Sequence, residues 1–166
     1  MALPPFVSGT LVNVNIRRTG DPSPAPPVHG SREALYAYPL EHYPVWQTLR
    51  AQAGVAPWEA ELPPGALGED LSLRGLLESQ VWVGDLLQFP NCELAVSAPG
   101  FACAAFDAAA GFNQASKMMI QSGYCGFYLA VRTPGELTAG ERFTLLPGPR
   151  EVSIAELFRA RAPRRT

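Results

Sequence analysis

Gln80-Val81-Trp82-Val83-Gly84-Asp85-Leu86-Leu87-Gln88-Phe89 reads as two short apolar segments about a Gly-Asp turn, the punctuation of short strands. The same grammar recurs downstream, in Glu93 to Ser97, in Gly126 to Arg132, and in Leu137 to Leu146 about Gly140-Glu141. Upstream, Phe6 to Ile16 alternates apolar and polar residues in its second half, the period-2 pattern of a strand with one buried face. Pro (17) and Gly (15) are both more abundant than average, which suits short strands and many turns better than long helices. These features predict a β-rich chain, an all-β barrel or closed sheet with a few short helices.

Three segments carry helical signals instead. Glu41 to Ala53 places Pro44 in a first turn and ends at Gly54, with Trp46, Leu49 and Ala53 on one face. Ala102 to Gln121 is Ala-rich but interrupted at Gly111, so one broken helix or two short ones fit. Ser153-Ile154-Ala155-Glu156 matches a capping box and predicts a terminal helix over Ile154 to Ala160. Asp21 to Pro27 (DPSPAPP) holds four prolines and predicts a stiff extended loop ahead of His29 and Gly30. No repeat or composition shift marks a linker, so residues 1–166 read as a single domain.

Composition narrows the function classes. A formal charge of -2, with one Lys (Lys117) among 13 basic residues, argues against a nucleic-acid coat. No apolar run is long enough to span a bilayer and the start lacks a signal-peptide pattern, so a cytoplasmic protein with no membrane partner is expected. The three cysteines, Cys92, Cys103 and Cys125, lack CxxC spacing, which argues against a disulfide framework or a structural zinc site. Cys92 and Cys125 sit in apolar runs and read as core. Cys103 follows a Pro-Gly turn at a helix start, where unpaired amides favour an anion.

Several segments, in order, resemble the MOSC domain family (molybdenum cofactor sulfurase C-terminal-like), in particular the bacterial stand-alone branch of 6-N-hydroxylaminopurine resistance proteins. Gly20-Asp21 is followed by seven residues and then His29-Gly30-Ser31 and an aromatic stretch, Ala34 to Tyr43. Leu67-Gly68-Glu69-Asp70-Leu71 stands where that family has Phe-Gly-Glu-Asn-Leu, and Val83-Gly84-Asp85 where it has Ile-Gly-Asp. Pro99-Gly100-Phe101-Ala102-Cys103 is similar to its Pro-Arg-x-Pro-Cys motif, and Gly123 to Arg132 to its Gly-x-x-Gly-Trp-Tyr-x-x-Val stretch. The resemblance implies a β-barrel that binds a pterin-type molybdenum cofactor, with Cys103 as metal ligand or sulfur carrier, in reduction of N-hydroxylated compounds or in sulfur transfer. It further implies His29, Gly30, Arg32, Gly68, Glu69 and Arg132 as cofactor-binding residues, a small-molecule substrate and a redox partner protein. No pyridoxal phosphate is expected.

The chain also departs from that pattern. The Arg of the cysteine motif is Gly100, its second Pro is Ala102, and the Lys two residues beyond the cysteine is Ala105. An acidic position before the His-Gly is Ala25, and the family's N-terminal Lys has no counterpart. Arg32 and Arg132 are the candidates to grip phosphate in their place. A second function class therefore stays open, a catalytically degenerate MOSC-like barrel that binds a small anion or a partner protein. Some residues have plainer readings: Glu69 and Asp70, neighbours in sequence, fit a solvated turn; His42 fits aromatic packing; Lys117 fits a helix surface.

Overall fold

The computed structural model describes residues 7–15 and 34–161. Its centre is a closed barrel of β1 (Ser8–Val14), β2 (Ala34–Pro39), β3 (Leu71–Arg74), β4 (Leu86–Gln88), β5 (Glu93–Pro99), β6 (Phe127–Thr133) and β7 (Arg142–Leu146). The order around the barrel is β1-β3-β2-β6-β5-β4-β7, closed by β7 on β1, and the β2/β3 pair is its one parallel pair. Four helices pack outside: α1 (Tyr43–Gln52), α2 (Ala104–Ala110), α3 (Ala115–Ser122) and α4 (Ile154–Arg161). No helix among the described residues is long and apolar enough to cross a membrane.

Strand alternation sets the inside of the barrel. Leu94 and Val96 of β5, Phe127, Leu129 and Val131 of β6, and Phe143 and Leu145 of β7 are all buried, as a period-2 pattern on one filled face requires. In β1 the deepest residue is Leu11, while Val12 and Val14 of the alternating half are half-buried. A register shift between Leu11 and Asn13 explains the difference, because a bulge turns the strand and re-aims the side chains beyond it. The stretch from Gln80 to Phe89 contributes one barrel strand, not two. Trp82 makes only an isolated bridge to Ser153, and β4 pairs with β5 and β7. Asp85 is the reason: its buried carboxylate accepts the backbone N–H groups of Trp82 (3.1 Å) and Gly148 (2.8 Å), which fixes a turn there.

The helices end where the sequence punctuates them. α2 stops at Gly111 (φ 88°) and α3 at Gly123 (φ 76°), both left-handed, a conformation that glycine adopts without steric penalty. Ser116 spans the break, its N–H donating to Asp107 Oδ1 (2.6 Å) and its hydroxyl to the Cys103 carbonyl (3.0 Å). The Ser153 hydroxyl accepts the Glu156 N–H (3.1 Å) at the start of α4. Trp46 of α1 donates its indole N–H to the Tyr38 hydroxyl (2.6 Å), and Arg50 donates to the Ala110 carbonyl, so α1 is tied both to β2 and to α2.

Candidate functional site

Cys103 caps the start of α2 with an extended backbone (φ -157°, ψ 169°), and its carbonyl accepts the N–H groups of Phe106 and Asp107. Its half-exposed side chain lines a cavity of about 270 Å³ with Tyr36, Gly68, Phe101, Ala105 and Tyr128 among the other walls. None of the described residues lining this cavity is Lys or Arg.

The aromatic wall is built by strand register. Tyr36 of β2 and Tyr128 of β6 are directly opposed, and their rings lie 5.1 Å apart at 31°. Phe101, 61% exposed, continues the stack over Tyr128 at 5.8 Å and 25°. The Tyr36 hydroxyl donates to the Cys125 carbonyl (2.6 Å), and burial pushes its ionisation well above the usual phenol range. Tyr128 is also raised, by burial first and then by the nearby Cys103 and Asp70. Both rings therefore stay neutral at ordinary pH.

The loop between β5 and Cys103 is held by close backbone packing. A β-carbon on Gly100 would overlap the Cys125 carbonyl oxygen and stand 2.8 Å from the Tyr36 ring. The absence of the family's arginine at this position is thus a packing requirement of this chain.

Gly68 (φ +89°) lines the Cys103 cavity and also an adjoining one of about 310 Å³, which Asn15, Gly65, Glu69 and Asp70 share. Glu69 is not the solvated turn residue that its sequence context suggests. It is 1% exposed, and its carboxylate accepts the Tyr43 hydroxyl (2.6 Å), the Leu67 N–H (3.1 Å) and the Ser72 hydroxyl (3.2 Å). Burial raises its pKa against the opposing pull of these donors. Asp70 is half-buried and accepts the Tyr36 N–H (2.8 Å) through Oδ2.

Of the residues singled out from sequence, Cys103 and Gly68 line one cavity and Glu69 lines the next. Arg132 lies four residues beyond Tyr128 on β6, about 13 Å along a strand, exposed and lining neither cavity. His29, Gly30 and Arg32 lie outside the described residues. Tyr36 and Tyr128, part of motif stretches in the sequence, line the Cys103 cavity, and so does Asp70, whose sequence context fits a solvated turn. Alternation in Ala34–Pro39 and Phe127–Thr133 places each tyrosine on one face, but pairing the two faces required the register.

The other cysteines are inert by environment. Cys92 and Cys125 are buried; burial pushes the Cys92 thiol up to about 11 and the Cys125 thiol further still. His42 is buried, 2.7 Å from Glu78 Oε1 and stacked on Tyr124 at 3.8 Å, and Glu78 Oε2 also accepts the Gly126 N–H (2.8 Å). This group packs the barrel wall and belongs to neither cavity.

A closed barrel with an open cysteine at a helix start is the architecture the sequence motifs anticipated. Residues 25–144 match the MOSC domain family. The chain is 31% identical over 152 residues to protein YiiM of Escherichia coli (strain K12), covering 90% of this chain and 65% of that protein. It is 30% identical over 126 residues to the uncharacterized protein YflK of Bacillus subtilis (strain 168), covering 75% and 53%. The chain thus spans about half to two thirds of the length of these curated relatives. The crystal structure of YiiM from Escherichia coli superposes with a TM-score of 0.70 at 24% identity, over 92% of this chain and 75% of that one. This chain belongs to the MOSC domain family.

Proposed function

We propose that this protein binds molybdenum cofactor at the Cys103 cavity, with Cys103 as thiolate ligand to the metal or as carrier of a transferable sulfur. The reaction is reduction of an N-hydroxylated compound or sulfur transfer. One observation carries this reading: Cys92 and Cys125 are buried, whereas Cys103 is half-exposed and lines a cavity with aromatic walls.

The residues present fit such a group at its metal and ring ends. A thiolate is a soft donor suited to a metal already held by sulfur. The exposed ring of Phe101, stacked beside Tyr128, suits a flat heterocycle. When bound, the cofactor supplies two-electron redox chemistry at its metal. The chain's own part is positioning and exclusion. Gly68 lets backbone approach the ligand, since the nearest atom to a β-carbon there would be Ala109 Cβ at 3.8 Å and its φ is +89°. Leu67 and Phe106 add apolar wall to the cavity beside the thiol. The Tyr36 hydroxyl, committed to Cys125, holds its ring in place beside Tyr128. The expected setting is the cytoplasm, with a separate redox protein as electron source.

A second reading, a barrel that has lost the family's chemistry and binds a small anion or a partner protein, draws on the absence of Lys and Arg among the described residues of the cavity. Metal analysis separates the two. Wild type and Cys103→Ser are purified from a host that makes the cofactor, and molybdenum and pterin fluorescence are measured per chain. Near-stoichiometric metal in wild type, lost in the variant, supports the first reading. A wild-type protein holding neither metal nor pterin overturns it.

A further inference from the structure

A third cavity, of about 260 Å³, lies against α4 and shares no described residue with the other two. Its polarity runs from floor to rim. His42 and Glu78, 6% and 4% exposed, form the floor. Leu77, Tyr124 and Ala155 are half-buried walls, and Arg159 stands exposed at the rim.

The floor is fixed by the fold. His42 closes the helical turn Leu40–His42 that follows β2, and Glu78 opens the turn Glu78–Gln80. Glu78 spends both oxygens inside the protein, Oε1 on His42 Nε2 (2.7 Å) and Oε2 on the Gly126 N–H (2.8 Å). A carboxylate only accepts, so the hydrogen between the pair sits on Nε2 and Nδ1 is left as an acceptor. Among the described residues nothing donates to that nitrogen. The Tyr124 ring lies parallel to the imidazole at 3.8 Å and 6°, and with Glu78 it holds the ring in one orientation. A buried acceptor without a donor is costly, and here it belongs to a ring that lines a cavity. At the other end, Arg159 in the last turn of α4 makes no ion pair or hydrogen bond among the described residues. Its guanidinium is always charged and suits a carboxylate.

We infer that this cavity binds a small organic acid with an apolar, ring-sized body and a hydroxyl group at the end away from its carboxylate. Arg159 takes the carboxylate, Leu77, Tyr124 and Ala155 take the body, and His42 Nδ1 takes the hydroxyl hydrogen. Charge sets the direction: Glu78 at the floor repels an anion, whereas the cation at the rim attracts one. The volume suits one ring and a short chain, less than the drug-sized occupants of sites of roughly 300–1,000 Å³. The inference does not depend on what Cys103 does.

The test uses the full-length chain. Para-hydroxyphenylacetate, para-hydroxybenzoate, phenylacetate and the methyl ester of para-hydroxyphenylacetate are titrated separately by calorimetry. At least one of the two hydroxy acids is expected to bind. Phenylacetate, which lacks the hydroxyl, and the ester, which lacks the charge, are expected about tenfold weaker, the scale of one lost hydrogen bond or charged contact. Arg159→Gln lowers the affinity for the acid to that for the ester, leaves the ester unaffected and keeps the melting temperature, since this side chain is exposed. Nitrogen NMR of histidine-labelled protein reads the floor without a mutation: the His42 Nδ1 resonance shifts with the hydroxy acid and not with phenylacetate. Alkylation of Cys103 by iodoacetamide keeps its rate when the acid is bound. Failure of both hydroxy acids to bind, equal affinity for phenylacetate, an unaffected Arg159→Gln variant, an unmoved His42 resonance, or protection of Cys103 would each overturn the inference.

Discussion

The backbone of Gly100 is seated against the Cys125 carbonyl, so a β-carbon at position 100 would overlap that oxygen. Ala105, the other place where a basic residue of the family's cysteine motif is missing, is exposed and lines the Cys103 cavity. Two departures that look equivalent in sequence are therefore physically different: one position is closed to any side chain, and the other is open.

Restoring the two cations separates them. Gly100→Arg forces the loop off Cys125 and Tyr36, and is expected to cost at least about 1–3 kcal/mol, the range for an overpacked site. Ala105→Lys changes stability by no more than about 0.5 kcal/mol, as a surface substitution does. Urea denaturation of both variants gives these values. The new lysine also draws anions to the cavity, so alkylation of Cys103 by iodoacetate gains several-fold over alkylation by neutral iodoacetamide. An unchanged ratio would place the lysine away from the thiol.

Thiol labelling should discriminate among the cysteines. Near pH 8 in native protein, iodoacetamide modifies Cys103 first, because it is half-exposed while burial raises the other two thiols, Cys92 to about 11. Cys92 and Cys125 react only once the barrel is unfolded. Peptide mass mapping over time checks the order, and early modification of Cys125 would contradict the burial.

The buried His42–Glu78 pair is expected to matter for stability. Glu78→Ala leaves the His42 ring and the Gly126 N–H without their acceptor. Each buried donor left without its acceptor costs about 1–3 kcal/mol, read as a lower urea midpoint. Because neither residue lines the two cavities, the folded fraction should keep native Cys103 reactivity.

Glu69 gives a pH dependence of unusual sign for a carboxylate. Its folded pKa is raised, chiefly by burial, above the ordinary value of 4.5. The folded state thus holds the proton more tightly than the unfolded chain. The contribution of this group is fully present below pH 4.5 and is lost as pH rises through the folded pKa. Glu69→Gln does not titrate. The melting temperature of wild type minus that of the variant should therefore fall as pH rises from 4.5, then level off. A difference that grows with pH would mean that the ionised carboxylate stabilises the fold.

Much of the architecture was legible locally. The helix ends at Gly111 and Gly123, the Ser153 cap and the inward faces of β5, β6 and β7 follow from propensity, capping and alternation, which act over a few residues. The stretch from Gln80 to Phe89 shows the limit of local reading. Its Gly-Asp turn is real, but the partners of β4 are β5 and β7, because Asp85 takes Trp82 and Gly148 as donors in place of a hairpin ladder. The burial of Glu69 is not legible locally for a similar reason, since its donors Tyr43 and Ser72 arrive from α1 and β3.

By itself, the sequence determined the β-rich class, the ordered MOSC motifs and the placing of Cys103 at a helix start. Those depend on residue identity and short-range spacing. Only the tertiary structure decided that Tyr36 opposes Tyr128 beside that cysteine, that Gly100 has no room for a side chain, and that Asn15 faces the Gly65 turn. These depend on barrel closure, which sets register between strands far apart in the chain, and no local pattern of side chains encodes that register.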